Sequence, residues 1–330
     1  MWLEFEVSNQ DNEAVCYGLG NAMVKKVEIT IGGYRIDCHY GEWMNIWSEL
    51  SIPESKRQGY DEMVGNYHKS KNIKNKLHVP LMFWFNRNLG LAIPLVALKY
   101  HEVKLNLELS SVEELDTRKN NPIKLESCRL WAEYIFLDQD EKRRFAEVNH
   151  EYLIDKFSDI GSNELLTVGD SNINLFARGR LVREIFWVKQ NDNEVGRKNS
   201  NPCQFSSFGK NATFQLFFDG QNRFDKDRDE DYFTTIQPYY HHTHIPRANR
   251  IIGETGKGNL RQTHSQFINS YSFSLNPEEI QPSGAVNFDY IDSVNLKINN
   301  NDKPGILKTF CIRHDMLRIM SGMAGLAFSS

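Results

Sequence analysis

Three short stretches of this chain bring together residue types that do chemistry elsewhere. Tyr239-Tyr240-His241-His242-Thr243-His244 places three histidines within four positions. On a strand, His242 and His244 would share one face, and paired imidazoles of that kind can hold zinc, iron or manganese. No acidic third ligand stands at close spacing, and Pro238 and Pro246 bracket the cluster as they would a loop, so no metal site is expected. Asp225, Asp227, Asp229 and Asp231 open like a calcium loop. Glu230 occupies the place of the glycine such a loop needs for its sharp turn, however, and Ile236 the place of the bidentate acid. A solvated turn is the better reading. Gly253-Glu254-Thr255-Gly256-Lys257-Gly258 has the look of a phosphate loop, yet Ile251 stands where its first glycine belongs and Gly258 replaces the magnesium-holding hydroxyl. It reads as a loop.

Two further features are weighed the same way. Asn211-Ala212-Thr213 is a glycosylation sequon, expected to go unused by the secretory machinery. The block Phe83-Trp84-Phe85 is of the kind that stacks on sugars, but it more often fills a core or an interface. No serine, cysteine or histidine is accompanied by the partners of a nucleophile. The expectation is no catalytic, cofactor-binding or metal residue.

The elements that would carry these groups are mostly strands. Val103, Leu105, Leu107 and Leu109 alternate with Lys104, Asn106 and Glu108, one face for a core and one for water. Val27, Ile29 and Ile31 alternate into Gly32-Gly33, a pair suited to a tight hairpin. Gly41 to Leu50 interrupts them with Trp43, Ile46, Trp47 and Leu50 at helical spacing. The polar run Ser51 to Lys76 reads as including a surface loop. Leu89 to Leu98 contains Pro94, is far shorter than the ~20 residues that span a bilayer, and reads as a buried loop or short helix. Cys128 to Leu137 reads as a buried strand. The period then changes. Asp138 with Glu141 resembles a capping box, and Phe145, Val148, Tyr152 and Leu153 fall on one helical face. Short strands resume at Ser171–Ala177, Leu181–Val188, Thr213–Phe218, Tyr271–Leu275, Val286–Ile298 and Lys308–Arg313. Two polar loops, Gln190–Asn211 and Arg247–Gln266, separate them. No clean internal repeat is visible.

Composition agrees with a β-protein: 12% of the 330 residues are aromatic, with 20 Phe and 13 Tyr. The formal net charge of −4 provides no basic field for nucleic acid. Cys16, Cys38, Cys128, Cys203 and Cys311 are an odd, dispersed set, which argues against a disulfide framework or zinc site and fits a reducing compartment. The start, Met1-Trp2-Leu3-Glu4-Phe5-Glu6, lacks a basic n-region and reads as the middle of a strand, so an upstream segment is expected to be missing.

The stretch from Val79 to Leu109, with its aromatic block, Asn86-Arg87-Asn88 turn, short apolar segment and alternating strand, resembles the major capsid proteins of nucleocytoplasmic large DNA viruses. Ile31-Gly32-Gly33, His39-Tyr40-Gly41-Glu42-Trp43, Arg143-Arg144-Phe145-Ala146 with His150-Glu151-Tyr152-Leu153-Ile154, Gln237-Pro238-Tyr239, Gln281-Pro282-Ser283-Gly284 and Leu317-Arg318-Ile319-Met320-Ser321-Gly322-Met323 follow in the family's order. Leu89 stands where the family usually has proline and Ala324 where it usually has glycine. The resemblance implies an all-β double jelly roll, two tandem sandwiches with short helices in loops and linker: 1–142 the first, N-terminally incomplete; 143–158 a helical linker; 159–330 the second. It also implies a structural virion protein rather than an enzyme, with homotrimers forming pseudo-hexagonal capsomers of an icosahedral shell. Partners would be copies of itself, neighbouring capsomers, and minor capsid and penton proteins, without direct nucleic acid or membrane insertion. Its place would be the virion, assembled in host cytoplasm. The alternative is a jelly-roll carbohydrate-binding module or cupin-like metalloenzyme.

Overall fold

The computed structural model describes residues 1–8, 18–66, 76–111, 115, 123–175, 181–191, 202–246, 250–252, 262–264 and 266–327. Among the described residues six strands build a first sandwich: β1 (Trp2–Ser8), β2 (Val24–Ile31), β3 (Tyr34–His39), β4 (Lys76–Pro80), β5 (Val103–Leu109) and β6 (Lys124–Trp131). They form two antiparallel sheets, ordered β4-β1-β6 and β3-β2-β5. Leu3, Phe5, Val7, Leu77 and Val79 of one face Val27, Ile29, Ile31 and Ile36 of the other in one core. The alternation along β5 is realised residue for residue, with its apolar side chains against that core and its polar ones exposed. At the β2–β3 turn Gly32 and Gly33 both take positive φ, 60° and 84°, as a two-residue hairpin with right-handed twist requires. A Cβ on Gly32 would also lie 2.4 Å from the His101 ring.

The second sandwich comprises β7 (His150–Leu166), β8 (Gly169–Asn174), β9 (Leu181–Asn191), β10 (Thr213–Phe218), β11 (Gln221–Asn222), β12 (Arg228–Asp229), β13 (Arg250–Ile252), β14 (Gln262–His264), β15 (Asn269–Ser272), β16 (Val286–Asn287), β17 (Val294–Asn301), β18 (Gly305–Met320) and β19 (Met323–Leu326). One sheet runs β15-β9-β18-β19, with β16 added on β9 and β7 on β18. The opposing sheet runs β11-β10-β17-β8, with β12 added on β10, and β13 and β14 form a separate pair. Trp187, Phe214, Leu216, Phe233, Leu296 and Ile298 meet between the two large sheets.

Two features tie the sandwiches together. The long antiparallel strands β7 and β18 pair from Leu166–Gly305 to His150–Ile319. At one end Ile154, Leu317 and Ile319 enter the first core, and at the other Ile160 and Leu307 enter the second. A third core lies between them. Among the described residues the α-helices of more than one residue are α1 (Leu19–Met23), α2 (Gly41–Ser51), α3 (Glu54–Val64), α4 (Gln139–Glu147) and α5 (Gln237–His241). From α2, Trp43, Ile46, Trp47 and Leu50 pack on Phe157, Phe186, Phe310 and Ile312 of the second unit. Trp43 sits 4.6 Å from Phe157 and 5.3 Å from Phe186, ring centre to ring centre. Both faces of β9 are therefore covered, and Val182 through Gln190 are all buried, the pattern of a sheet sandwiched between layers. Gly41 opens α2 because α1 crosses it closely: a Cβ there would lie 2.0 Å from the Asn21 carbonyl oxygen.

Several expectations need correction. β6 is a strand, but its residues are exposed apart from the half-buried Ser127, and Tyr134, Ile135 and Phe136 beyond it are exposed as well, Phe136 at 91%. β6 has one strand neighbour, β1, among the described residues, and Trp131 stacks on Trp2 of that strand while remaining 47% exposed. Leu89–Leu98 forms two short 3-10 turns, as a short helix was expected there, but it is only partly buried: Pro94 and Ala97 are covered and Leu91, Ile93 and Leu98 pack on the first core, while Leu89 is 76% exposed. Within Ser51–Lys76, where a surface loop was expected, Glu54–Val64 forms a helix whose Arg57 turns inward to Glu49, and residues 67–75 lie outside the described residues. The helical part of the 143–158 segment ends at Glu147, and from His150 the chain is strand, since Tyr152 to Phe157 pair with β18. The capping box at Asp138 and Glu141 is present as read, each side chain engaging the other's backbone N–H.

Candidate functional site

The richest polar cluster lies at the junction of the two sandwiches, and much of it was not singled out by sequence. The turn after the aromatic block delivers Arg87, β7 delivers Asp155, β9 delivers Arg183, and β18 delivers His314. Arg87 Nη1 and Arg183 Nη1 lie 2.7 and 2.8 Å from Asp155 Oδ2, and His314 Nδ1 lies 3.1 Å from Oδ1. Burial alone would raise the Asp155 carboxyl, but the His314 hydrogen bond and the Arg183 and Arg87 charges hold it well below the usual carboxylate range. Arg87 also stacks over Trp47 of α2, 4.7 Å from the ring centre. One carboxylate thus ties a first-unit arginine to three strands of the second.

Arg183 and Glu184 are adjacent in β9, and both are buried. The pairing of β9 with β18 shifts register here, Ile312 opposite Glu184 and Arg313 opposite Val182, so Arg183 occupies a bulge. That bulge lets neighbouring charged residues serve two different partners. Glu184 Oε1 lies 3.0 Å from His242 Nε2, and His242 Nδ1 lies 3.0 Å from Glu278 Oε1. Burial works against the imidazolium, but the two glutamates outweigh it and raise His242 to about 9.

The histidine cluster therefore has a structural account. His241 lies with Nδ1 3.0 Å from the Leu275 carbonyl oxygen. His242, held between two carboxylates, is protonated on both nitrogens at neutral pH and has no lone pair for a metal. His244 closes the C-terminal end of α2: its backbone N–H donates to the Leu50 carbonyl and its Nδ1 to that of Glu49, at 2.9 and 2.8 Å. Its Nε2 lies 3.3 Å from Glu54. A π-turn, Tyr232–Ile236, runs into α5, which ends at His241, and His242, Thr243 and His244 lie in the loop that follows, as the bracketing prolines imply. Among the described residues no set of three or more His, Cys, Asp or Glu is arranged to hold a metal.

The remaining candidates disperse. Phe83 and Trp84 are buried in the first core, and Phe85 packs half-buried against it. Asp227 accepts from Thr213 and Asn299, and Asp229 accepts from the Tyr232 N–H, ordinary turn bonds. Asn211 is exposed. The Gly253–Gly258 stretch lies outside the described residues. What sequence reading missed, Asp155, Arg183 and Glu184, was visible only as charges inside apolar strands, Arg87 only as part of a turn, and nothing in their spacing pairs them.

With this geometry in hand, the comparisons are decisive about class. Residues 5–138 match the family described as Major capsid protein N-terminus, and residues 141–252 match Large eukaryotic DNA virus major capsid protein. The chain belongs to the major capsid proteins of large eukaryotic DNA viruses. The major capsid protein of Pyramimonas orientalis virus is 38% identical over 326 residues, covering 94% of this chain and 78% of that one. That of Paramecium bursaria Chlorella virus 1 is 28% identical, covering 99% and 84%. Among solved structures, PBCV-1 VP54, fitted into a cryo-EM reconstruction of the virophage Sputnik, superposes with a TM-score of 0.79 at 26% identity, covering 100% of this chain and 89% of that one. The Faustovirus major capsid protein superposes at 0.70 with 10% identity, a likeness of fold. The fold is the double jelly roll.

Proposed function

We propose that this chain is a shell-building capsid subunit whose copies associate in threes as pseudo-hexagonal capsomers. The observation that carries the reading is the junction: long shared strands, a dedicated aromatic core and a buried ion network join two jelly rolls into one rigid block. A shell needs such blocks, because many modest side contacts sum to a stable lattice only when each subunit holds its shape. The exposed large apolar residues, among them Leu130, Trp131, Tyr134, Ile135 and Phe136 beside β6 and Leu89, Leu95 and Tyr100 on the 3-10 segment, are surface that association would cover.

In this reading the partners are further copies, neighbouring capsomers, and minor capsid and penton proteins. Nucleic acid is not among them, consistent with the net charge of −4. The chain acts in the virion, is assembled in host cytoplasm, and performs no catalysis. No described helix is long and apolar enough to cross a membrane. The proposed units, 1–142 and 159–330, are joined by 143–158, whose C-terminal part is the first half of β7, and the outer edges of β5 and β6, each paired on one side among the described strands, receive further strands.

Size-exclusion chromatography with light scattering, combined with elemental analysis, tests the proposal. Trimers free of stoichiometric metal are expected. A monomer retaining zinc, iron or manganese after dialysis would favour the cupin-like alternative.

A further inference from the structure

A second buried constellation lies inside the C-terminal sandwich, apart from the junction network. Lys189 in β9 is fully buried, an environment that ordinary lysines avoid. Its Nζ donates to Asn301 Oδ1 at 2.9 Å and to the Lys303 carbonyl at 3.3 Å, and it rests over the Phe208 ring, 4.9 Å from the centre. Its stem is held by close packing on Gly305, where a Cβ would come within 3.0 Å of Lys189 Cγ. Asn301, at the end of β17, is equally buried, and its Nδ2 donates to the Thr167 carbonyl at 2.8 Å, fixing which side of the amide meets the amine. Glu230 is buried in the same region, accepting from the N–H of Phe208 at 3.1 Å and from the Ser207 hydroxyl.

We propose that Lys189 and Asn301 join in an intramolecular isopeptide bond across the two sheets of the second sandwich, with Glu230 as proton acceptor. The neutral Nζ attacks Cγ of Asn301. A C–N bond forms to Nζ, the bond from Cγ to Nδ2 breaks, and the proton released by the amine travels through Glu230 to the leaving nitrogen, which departs as ammonia. Nothing is oxidised or reduced, and no co-reactant is required. Burial favours the reactive form: desolvation lowers the Lys189 ammonium to about 8, against the opposing pull of Glu230 and Asp302. Burial of both side chains also limits the access of bulk water to the amide carbon. β9 and β17 belong to opposite sheets, so the link would fasten one to the other, a role that disulfides play elsewhere.

The test is the intact mass of the full-length chain under denaturing conditions, followed by peptide mapping. The wild type is expected to weigh one ammonia less than its sequence, to resist trypsin at Lys189, and to give a branched peptide joining the Lys189 and Asn301 segments. Lys189→Arg and Asn301→Ala are expected at their full masses, and Glu230→Gln is expected to form the bond ~100-fold more slowly. A wild-type chain at full mass after prolonged incubation, with a linear peptide containing unmodified Lys189, would overturn the proposal, as would an ammonia loss that maps elsewhere. Because the wild-type mass decides by itself, misfolding of a variant would not obscure the answer. An undiminished rate in Glu230→Gln would remove Glu230 from the mechanism.

Discussion

Trp84, 2% exposed in the first core and edge-on to Phe85, shows how much a single side chain carries here. Trp84→Ala is expected to destabilise the chain by ~3–5 kcal/mol, measured by denaturant unfolding; a loss within error of zero would contradict its placement. Asp155 carries a different load. Asp155→Asn would leave two buried guanidinium groups without their shared counter-charge, at a cost of ~3–5 kcal/mol, and the loss should concentrate in protection of Arg87 and the α2 region by hydrogen exchange. His242 sets a pH dependence. Its folded value, about 9, lies above the ordinary histidine value of 6.5, so its contribution is fully present below 6.5 and fades as pH rises through about 9. His242→Phe should flatten the stability profile over that interval, and an unchanged profile would show that the imidazolium is not the group responsible.

At the scale of elements, patterns with one clear period were legible and those depending on distant partners were not. The alternation of β5, the Gly32-Gly33 hairpin and helix α2 follow from residues close in sequence, and each appears where the spacing puts it. β18 extends well past the expected Lys308–Arg313 because its ends are decided by pairing with β7, more than a hundred residues away. β6 was read as buried from its apolar content alone, but burial also needs a covering neighbour. The ion network was illegible for the same reason: Arg87, Asp155, Arg183 and His314 lie on four separate segments, and only the fold brings them together. The one-sided pairing of β5 and β6 yields a prediction at this scale. Their outward-facing amides should exchange faster than those of β9, which has strands on both sides and layers on both faces. Equal protection in the two sandwiches would show that the first is as closed as the second.

For the whole molecule, the three cores and the buried charges join the two sandwiches through one continuous set of contacts. Trp43→Ala, removing the ring that meets Phe157, Phe186 and Phe310 across the junction, should lower stability by ~3–5 kcal/mol. It should also split a single thermal transition into two, as the units lose their coupling. A single unshifted transition would mean that the third core is dispensable. The central claim is that this rigid block is a capsid subunit, and it is tested most directly by electron-microscopic class averages of the purified chain. The account predicts particles of three copies with a pseudo-sixfold outline; isolated double-lobed monomers at every concentration would contradict it.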